Sequence, residues 1–98
     1  MRCKILSLAI DDIKEIHEYL SDFGETPQRK FRMSFEAFCD QIVKMPYMYS
    51  QYEHNNAYRR AVIVYDYLIF YQVNECNEEI KIYRVLHGKR EIKPLLDN

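Results

Sequence analysis

Residues 58–93 read YRRAVIVYDYLIFYQVNECNEEIKIYRVLHGKREIK, and this stretch decides the fold. It contains three strand-length runs rich in β-branched and aromatic residues, at 58–65, 67–73 and 80–87. A lone Asp66 separates the first two runs, and a polar segment at 74–78 separates the second from the third. Connections this short join antiparallel neighbours, because a parallel return needs about a dozen residues or more. The stretch therefore predicts a three-stranded antiparallel meander with a basic tail.

Before this stretch the sequence predicts a short strand, at 2–6, and a first helix. Ser7 is suited to cap that helix, and Asp11 and Asp12 lie near its positive end, where carboxylates are stabilising. Its apolar face is marked by residues at three- or four-residue steps: Ala9, Ile13, Ile16 and Leu20. Gly24 is suited to close the helix in a left-handed conformation.

The second predicted helix has the clearest periodicity in the chain. Thr26 and Pro27 suit its N-cap and first position, and Pro46 lies where it should end. Its apolar stripe alternates steps of four and three residues: Phe31, Phe35, Phe38, Ile42 and Met45. The short connection between the helices predicts an antiparallel hairpin. Residues 47–56 have no period and predict a loop, whose tyrosines either pin it to the fold or form a contact surface.

The chain of 98 residues predicts a single domain, 1–98, of the α+β class. The element order β-α-α-β-β-β packs a helical hairpin on one face of a small antiparallel sheet. A composition of 48% hydrophobic and 30% charged residues fits a folded chain. Nine Tyr and five Phe with no Trp predict a core built largely from aromatic rings.

Composition and motifs exclude several classes of function. The three cysteines, Cys3, Cys39 and Cys76, are odd in number and lack CxxC spacing, which argues against a disulfide framework or zinc site and favours a reducing compartment. No window approaches the ~18 apolar residues of a membrane span, and no signal peptide is visible. Two glycines leave no phosphate-binding loop. We expect a cytoplasmic protein with no metal, no cofactor and no membrane contact.

Positive charge is concentrated near the C-terminus, although the formal net charge is −1. Residues 1–54 carry seven Lys or Arg against nine Asp or Glu, whereas residues 81–93 carry five basic residues against Glu91 alone. The last strand and the segment after it therefore predict a basic surface.

The helices are predicted to cover only one of the two faces of the middle strand. Tyr67, Ile69, Tyr71 and Val73 alternate with Leu68, Phe70 and Gln72 along the run. If the helices cover the first set, Leu68 and Phe70 lie on the less protected face, where apolar residues beside Arg and Lys are typical of a protein-binding surface. A core role for both residues remains open if the tail folds back over that face.

His87 is the histidine with the most suggestive position, at a strand end beside Gly88, Lys89 and Arg90. Neighbouring cations favour the neutral ring, which can accept a proton. The alternative is a structural role, in which His87 caps the strand and hydrogen-bonds to a backbone carbonyl.

The segments YLIFYQV at 67–73 and IKIYRVLHGKRE at 80–91, with Leu95 and Leu96 after them, closely resemble the C-terminal half of RelE/ParE toxins. Similarity extends to the N-terminal half, through Ala9, DIKEI at 12–16 and the pair Met45-Pro46. The resemblance covers nearly the whole chain and implies the fold already predicted. These proteins are the toxins of type II toxin–antitoxin pairs.

The family has two main chemistries, and the residues favour the second. RelE-like members cleave mRNA on the ribosome with basic residues on the sheet and a C-terminal tyrosine or histidine, whereas ParE-like members inhibit DNA gyrase. Leu68 stands where the nuclease pattern has an arginine, and no Tyr or His follows His87. Arg90 matches both patterns. A missing cation at the scissile phosphate costs several kcal/mol of transition-state stabilisation.

The resemblance therefore implies a ParE-like toxin that inhibits DNA gyrase by protein–protein contact and is not itself an enzyme. A cognate antitoxin, ParD-like or of another class, would neutralise it by folding a disordered segment into the groove between helices and sheet. A homodimer or a hetero-oligomer with the antitoxin is compatible with this interpretation. The expected target-binding residues are Arg59, Arg60, Leu68, Phe70, Arg84, Lys89, Arg90, Leu95 and Leu96.

Two alternatives stay open from the sequence. The first is a ribosome-dependent mRNA endonuclease in which Arg84, His87 and Arg90 carry the reaction, or in which Glu53 and His54 contribute an unusual site. The second is a non-toxic protein of the same fold that survives as a decoy or binding module.

Overall fold

The computed structural model describes residues 1–89 and 92–96 and contains a four-stranded sheet with two helices on one face. The strands are β1 (Arg2–Ile5), β2 (Arg59–Ile63), β3 (Tyr67–Asn74) and β4 (Glu79–His87). The helices are α1 (Ser7–Ser21), α2 (Glu25–Ile42) and a short α3 (Lys93–Leu96). The predicted α+β fold and the order β-α-α-β-β-β are confirmed, with α3 as an unpredicted addition.

The strand order in the sheet is β1-β4-β3-β2. β2 pairs antiparallel with β3, and β3 pairs antiparallel with β4, so the predicted meander is confirmed. β1 pairs parallel with β4 at the other edge, where Cys3 lies opposite Ile80. This parallel pair is allowed because both helices and two strands intervene in the chain between β1 and β4.

The hairpin helices turn their apolar stripes to the sheet. α2 buries four residues of the predicted stripe: Phe31, Phe35, Phe38 and Ile42. Met45 is 59% exposed, because α2 ends at Ile42, and the prediction that Met45 extends the stripe is wrong. Gly24, at φ 104° and ψ 179°, immediately precedes α2 and is not the left-handed end of α1. Ser7 is the first residue of α1 and does not cap it.

Aromatic rings fill the core between the helices and the sheet, as the composition predicts. The ring of Phe31 meets that of Tyr67 edge-on with centroids 5.3 Å apart, and Phe38 meets Tyr71 in the same way at 5.6 Å. The hydroxyl of Tyr71 donates to the carbonyl oxygen of Pro46 at 3.0 Å, which satisfies the polar group of a buried ring. These contacts join α2, β3 and the segment after α2.

The second face of the sheet is covered by the C-terminal segment and by the loop before β2. The loop tyrosines Tyr52 and Tyr58 and the tail residues Ile92 and Leu96 pack against Leu68, Phe70 and Leu86. Phe70 is fully buried and Leu68 is 8% exposed, so the expectation that they lie exposed on this face is wrong. The tail folds back because leaving two large apolar side chains in water costs roughly 1.5–3 kcal/mol each.

One ion pair joins α1, β4 and α3. The Nε and Nη2 atoms of Arg84 donate to the two carboxylate oxygens of Asp12 at 2.7 and 2.8 Å. The same carboxylate accepts the N–H of Val85 at 3.0 Å, and Nη1 of Arg84 donates to the carbonyl oxygen of Leu95 at 3.1 Å. Both charged side chains are largely buried, with 6% of Asp12 and 12% of Arg84 exposed. The hydrogen bond that Arg84 donates to Asp12 raises the pKa of Arg84, so the guanidinium stays charged.

Among the described residues, none of the helices is long and apolar enough to cross a membrane.

We expect Arg84→Met to lower the free energy of unfolding by about 3–5 kcal/mol, because it leaves the Asp12 carboxylate buried without its cation. Removing both charges in Asp12→Leu/Arg84→Met should cost less than the sum of the two single changes. Urea denaturation followed by circular dichroism measures each value. Arg32→Met, at an exposed arginine of α2, is the matched control and should stay within about 0.5 kcal/mol of the parent. Equal losses for Arg32→Met and Arg84→Met would contradict the structural role of the ion pair.

Alkaline pH should weaken the fold through Tyr71. Burial raises the pKa of Tyr71 to about 12, against about 10 in an unfolded chain. Between those values the folded state keeps a proton that the unfolded state releases, so stability falls as the pH rises from about 10 to about 12. Tyr71→Phe should lower the free energy of unfolding by about 1 kcal/mol at neutral pH, because it removes the hydrogen bond of the hydroxyl. Above pH ~10, however, the free energy of unfolding of Tyr71→Phe should decline less steeply than that of the parent. Parallel stability curves for the two proteins across that range would contradict the assignment.

Candidate functional site: a groove between the first helix and the end of the sheet

A groove of about 810 Å³ runs between α1 and the end of the sheet where β3 begins and β4 ends. Its helical side also includes the start of α2. The residues that line it are Asp12, Glu15, Ile16, Tyr19, Leu20, Phe23, Pro27, Tyr65, Tyr67, Val85, His87 and Lys89. It is mainly apolar with a few charged groups, which is typical of a binding site for an organic or peptide surface.

Three exposed aromatic rings stand at the rim of this groove. Tyr19 is 59% exposed and Phe23 is 62% exposed, and their rings contact each other edge-on with centroids 5.3 Å apart. Tyr65 is 41% exposed on the sheet side. Large apolar side chains left in water beside a concave surface mark a site of protein contact.

Tyr65 has an unfavourable backbone conformation. It lies in the turn between β2 and β3 at φ 61° and ψ 26°, and Asp66 after it has φ 60°. Two consecutive positive φ values belong to a tight hairpin turn that favours Asn-Gly, and a tyrosine there is strained. The N–H of Gly88 donates to the carbonyl oxygen of Asp66 at 2.9 Å, which ties the turn to the end of β4. A side chain at Gly88 would approach that oxygen to 3.2 Å, so the close contact favours glycine.

Asp12 and the end of β4 also line the groove. The Nδ1 atom of His87 accepts the N–H of Lys89 at 3.2 Å, and the imidazole ring contacts Tyr67 edge-on at 5.2 Å. His87 therefore has a backbone contact at the strand end, as the structural alternative predicts, but its partner is the N–H of Lys89 and not the carbonyl oxygen that was expected. Burial raises the pKa of Tyr67, whose ring lies under the groove.

The predicted basic surface is divided by the structure. Arg60 and Lys89 are exposed. Arg59 is half-buried, since its Nη1 atom donates to the carbonyl oxygen of Tyr49 at 2.7 Å and its guanidinium lies 4.8 Å from the centre of the Tyr47 ring. Two of the predicted cations are therefore available for contact without rearrangement.

Arg84 differs from these cations. The structure assigns Arg84 to the buried pair with Asp12, so the expectation that it lies on an open basic surface is wrong. The reason is a carboxylate in the apolar stripe of α1 that requires a partner charge. Arg90 lies outside the described residues.

The apolar residues predicted to contact the target are also mostly buried. Leu68, Phe70 and Leu96 are buried in the cluster on the second face of the sheet, and only Leu95 stays half-buried at its edge. Because Leu68, Phe70 and Leu96 are buried, they have a structural role in this fold. Two of the three loop tyrosines behave as the pinning alternative predicts, since Tyr52 is 8% exposed and Tyr49 packs on Phe38 with ring centroids 5.9 Å apart. The third, Tyr47, is 48% exposed.

The residues proposed for an mRNA endonuclease do not converge in the described part of the chain. Arg84 is committed to Asp12, whereas His87 lies at the end of β4 against Tyr67 and Lys89. Glu53 and His54 face each other at 3.3 Å, but both side chains are well exposed in the loop before β2. No three His, Cys, Asp or Glu side chains within residues 1–89 and 92–96 could hold a metal ion together.

Sequence reasoning missed Asp12 and Tyr65. A signal for Asp12 was present, because it lies in register with Ala9, Ile16 and Leu20 on the buried face of α1. A carboxylate inside an apolar stripe predicts a buried cation or a cluster of N–H donors. No comparable signal marks Tyr65, since a tyrosine in a β-rich run predicts an extended conformation.

The comparisons with known proteins agree with this geometry. Residues 4–92 match the family model described as "ParE toxin of type II toxin-antitoxin system, parDE". A search of curated proteins returns no match. Among solved structures the chain is similar to one titled "Chromosomal ParDE TA system from P. aeruginosa", with a TM-score of 0.62 and 14% identity over 89% of this chain and 95% of that chain.

At 14% identity the structural likeness shows the fold alone, and it agrees with the helical hairpin on a small sheet. The family match carries the assignment, because residues 4–92 include α1, α2, β2, β3, β4 and the second half of β1. The chain therefore belongs to the family of ParE toxins of type II toxin–antitoxin systems.

Proposed function

We propose that this toxin inhibits DNA gyrase by protein–protein contact in the cytoplasm and that a cognate antitoxin neutralises it. The observation that carries this proposal is that Arg84 donates its hydrogen bonds to Asp12 and to the carbonyl oxygen of Leu95. An RNA-cleaving member of the fold needs cations on the sheet that face the scissile phosphate. Here the candidate cation is turned inward and used to hold the fold together.

Freeing Arg84 for catalysis would be costly. Turning the guanidinium toward solvent would leave the Asp12 carboxylate buried with the Val85 N–H as its remaining described donor. Breaking a buried pair in this way costs about 3–5 kcal/mol. That cost is comparable to what a positioned cation contributes to a transition state, so little net stabilisation would remain. Inhibition by contact requires no such rearrangement.

The proposed gyrase-binding surface is centred on exposed cations of the sheet and its C-terminal end. Arg60 and Lys89 are exposed, and Arg59 and Leu95 are half-buried. Arg90 is proposed as a further contact from its place after Lys89. Leu68, Phe70 and Leu96 support this surface from below, where they anchor the segment that carries Leu95.

The proposed antitoxin site is the groove beside α1. An amphipathic antitoxin segment that is disordered when free would bury its apolar residues against Tyr19, Phe23 and Tyr65. Lys89 lines the same groove, so the bound antitoxin would also cover a cation of the proposed gyrase surface. The overlap supplies a direct reason for neutralisation, because both partners compete for Lys89.

Purified toxin should trap gyrase on supercoiled plasmid and produce linear DNA or loss of supercoiling. Arg60→Ala and Lys89→Ala should each weaken this effect by about tenfold, since a contact worth about 1.4 kcal/mol is tenfold in affinity. Arg32→Ala, at an exposed arginine on α2, is the matched control and should act like the parent. Deletion of the C-terminal segment is unsuitable as a control, because it removes Leu96 from the second core cluster.

The opposite outcomes of this experiment are informative. Folded toxin that leaves gyrase unaffected but cleaves mRNA on programmed ribosomes would replace the proposal with the endonuclease. Folded toxin that binds antitoxin and does neither would be a decoy.

Tyr65 provides a test of the antitoxin groove. Tyr65→Asn should raise the free energy of unfolding by about 1 kcal/mol, because asparagine tolerates the left-handed conformation, and should weaken antitoxin binding at least tenfold by removing an aromatic anchor. Glu78→Asn, at φ 50° in the turn between β3 and β4, is the matched control. It should gain similar stability without any loss of affinity, because Glu78 lies outside the groove.

Urea denaturation measures the stabilities, and calorimetric titration with the cognate antitoxin measures the affinities. Undiminished affinity in Tyr65→Asn would place the antitoxin elsewhere on the toxin.

A further inference from the structure

Two lysines lie side by side on the second face of the sheet. Lys4 of β1 is the register partner of Lys81 of β4, and neighbouring strands lie roughly 4.8 Å apart. Cys3 and Ile80, the residues before them on each strand, pack in the core beneath the helices, so both lysines are on the opposite face. Like charges placed directly opposite each other destabilise a sheet. The fold therefore retains an unfavourable contact at this position.

The register does not place a carboxylate opposite either lysine. Within residues 1–89 and 92–96 no ion pair includes Lys4 or Lys81. On the same face, Arg2 is opposite the acidic residue Glu79, whereas Lys4 is opposite a second cation. The charge of the Arg2 row is thus balanced, and that of the lysine row is not.

Protection of a sheet edge explains Lys4 but not Lys81. A lysine on an edge strand hinders pairing with other chains, and β1 is an edge strand. β4 lies between β1 and β3, so both of its sides are already paired and it needs no such protection. Lys81 is nevertheless half-buried on this face beside another lysine. Two cations kept together against their repulsion indicate a surface that receives an anionic partner.

The groups beside Lys81 are suited to phosphate oxygens. A cleft of about 430 Å³ is lined by Lys81 and by the amide side chains of Gln72 and Asn74. Lysine and amide groups are among the donors that proteins place against the phosphates of nucleic acids. Glu75 also lines the cleft, but its carboxylate accepts the hydroxyl of Tyr47.

We propose that this face binds the phosphate backbone of duplex DNA, with Lys4 and Lys81 as its cationic contacts. A phosphate placed between the two ammonium groups would turn their repulsion into attraction. This inference does not depend on which enzyme the toxin inhibits. Because the formal net charge of the chain is −1, the attraction would come from this patch and not from the protein as a whole.

A duplex fits this face better than a single strand or a protein. Single strands are held by exposed rings on which bases stack. Tyr83, next to Lys81 on the same face of β4, packs edge-on against Tyr58 with ring centroids 5.1 Å apart. Tyr47 in the cleft lies beneath the Arg59 guanidinium, 4.8 Å from the ring centre. Lysine is also depleted at protein interfaces relative to the rest of the surface.

The test is fluorescence anisotropy of a labelled DNA duplex of about 20 base pairs, titrated with the full-length toxin at several salt concentrations. We expect a dissociation constant of roughly 10⁻⁵ M at low salt. A plot of log affinity against log salt should have a slope of about −2, since two phosphates are neutralised. A duplex that stays unbound at low salt would overturn the proposal.

Matched double variants locate the contact. Lys4→Gln/Lys81→Gln should weaken binding about tenfold or more and bring the salt slope close to zero. Lys14→Gln/Lys30→Gln removes the same charge from exposed positions of α1 and α2, on the other side of the sheet, and should bind like the parent. Equal losses in the two double variants would show attraction by net charge alone and would overturn the proposal.

Thermal unfolding separates a binding role from a structural one. Because the two lysines repel each other, Lys4→Gln should raise the melting temperature by about 1–5 °C while it weakens DNA binding. A residue kept only for the fold would show the opposite change in stability. Tighter binding of an oligoglutamate peptide, or of single-stranded DNA of the same length, would assign the lysines to another partner and overturn the proposal.

Discussion

The ion pair between Asp12 and Arg84 is the interaction on which the rest of the structure depends. Its two parallel hydrogen bonds fix α1 to β4, and the remaining guanidinium arm holds the carbonyl oxygen of Leu95. The carboxylate also accepts the Val85 N–H, which sets the helix at one height along the strand. Apolar packing alone tolerates small shifts of a helix over a sheet, whereas a buried bidentate pair has one good geometry. The groove beside α1 is the space that this geometry leaves open.

Most of the fold could be predicted because local sequence patterns indicate it. The strand runs between 58 and 87 are separated by turns too short for anything except antiparallel neighbours, and the aromatic stripe of α2 has a single apolar face. Alternation along β3 correctly assigned Tyr67, Ile69 and Tyr71 to the core beneath the helices. The fold implied by the family resemblance is the one that these patterns predict. The family match over residues 4–92 agrees with that resemblance.

The candidate site was harder to predict, because its key features depend on distant parts of the chain. Whether Leu68 and Phe70 are exposed depends on where the C-terminal segment folds. That segment packs back over the sheet through Ile92 and Leu96. The role of Arg84 depends on a carboxylate near the opposite end of the sequence. The strain at Tyr65 follows from the hairpin register, in which Ile63 pairs with Tyr67 and leaves a very short turn. Periodicity and composition record none of these long-range contacts.

A guanidinium on the sheet of this fold can serve catalysis or architecture, but one group cannot do both well. A catalytic cation must face a solvent-accessible phosphate and meet no competing anion before substrate arrives. Arg84 instead meets a buried carboxylate whose own desolvation is compensated by that contact. Of the exposed cations, Arg60 lies in β2 and Lys89 follows the end of β4, and Lys89 lines the same groove as the exposed aromatic rings. Exposed charges next to apolar rings are suited to binding another protein's surface, since the rings supply affinity and the charges supply steering and register.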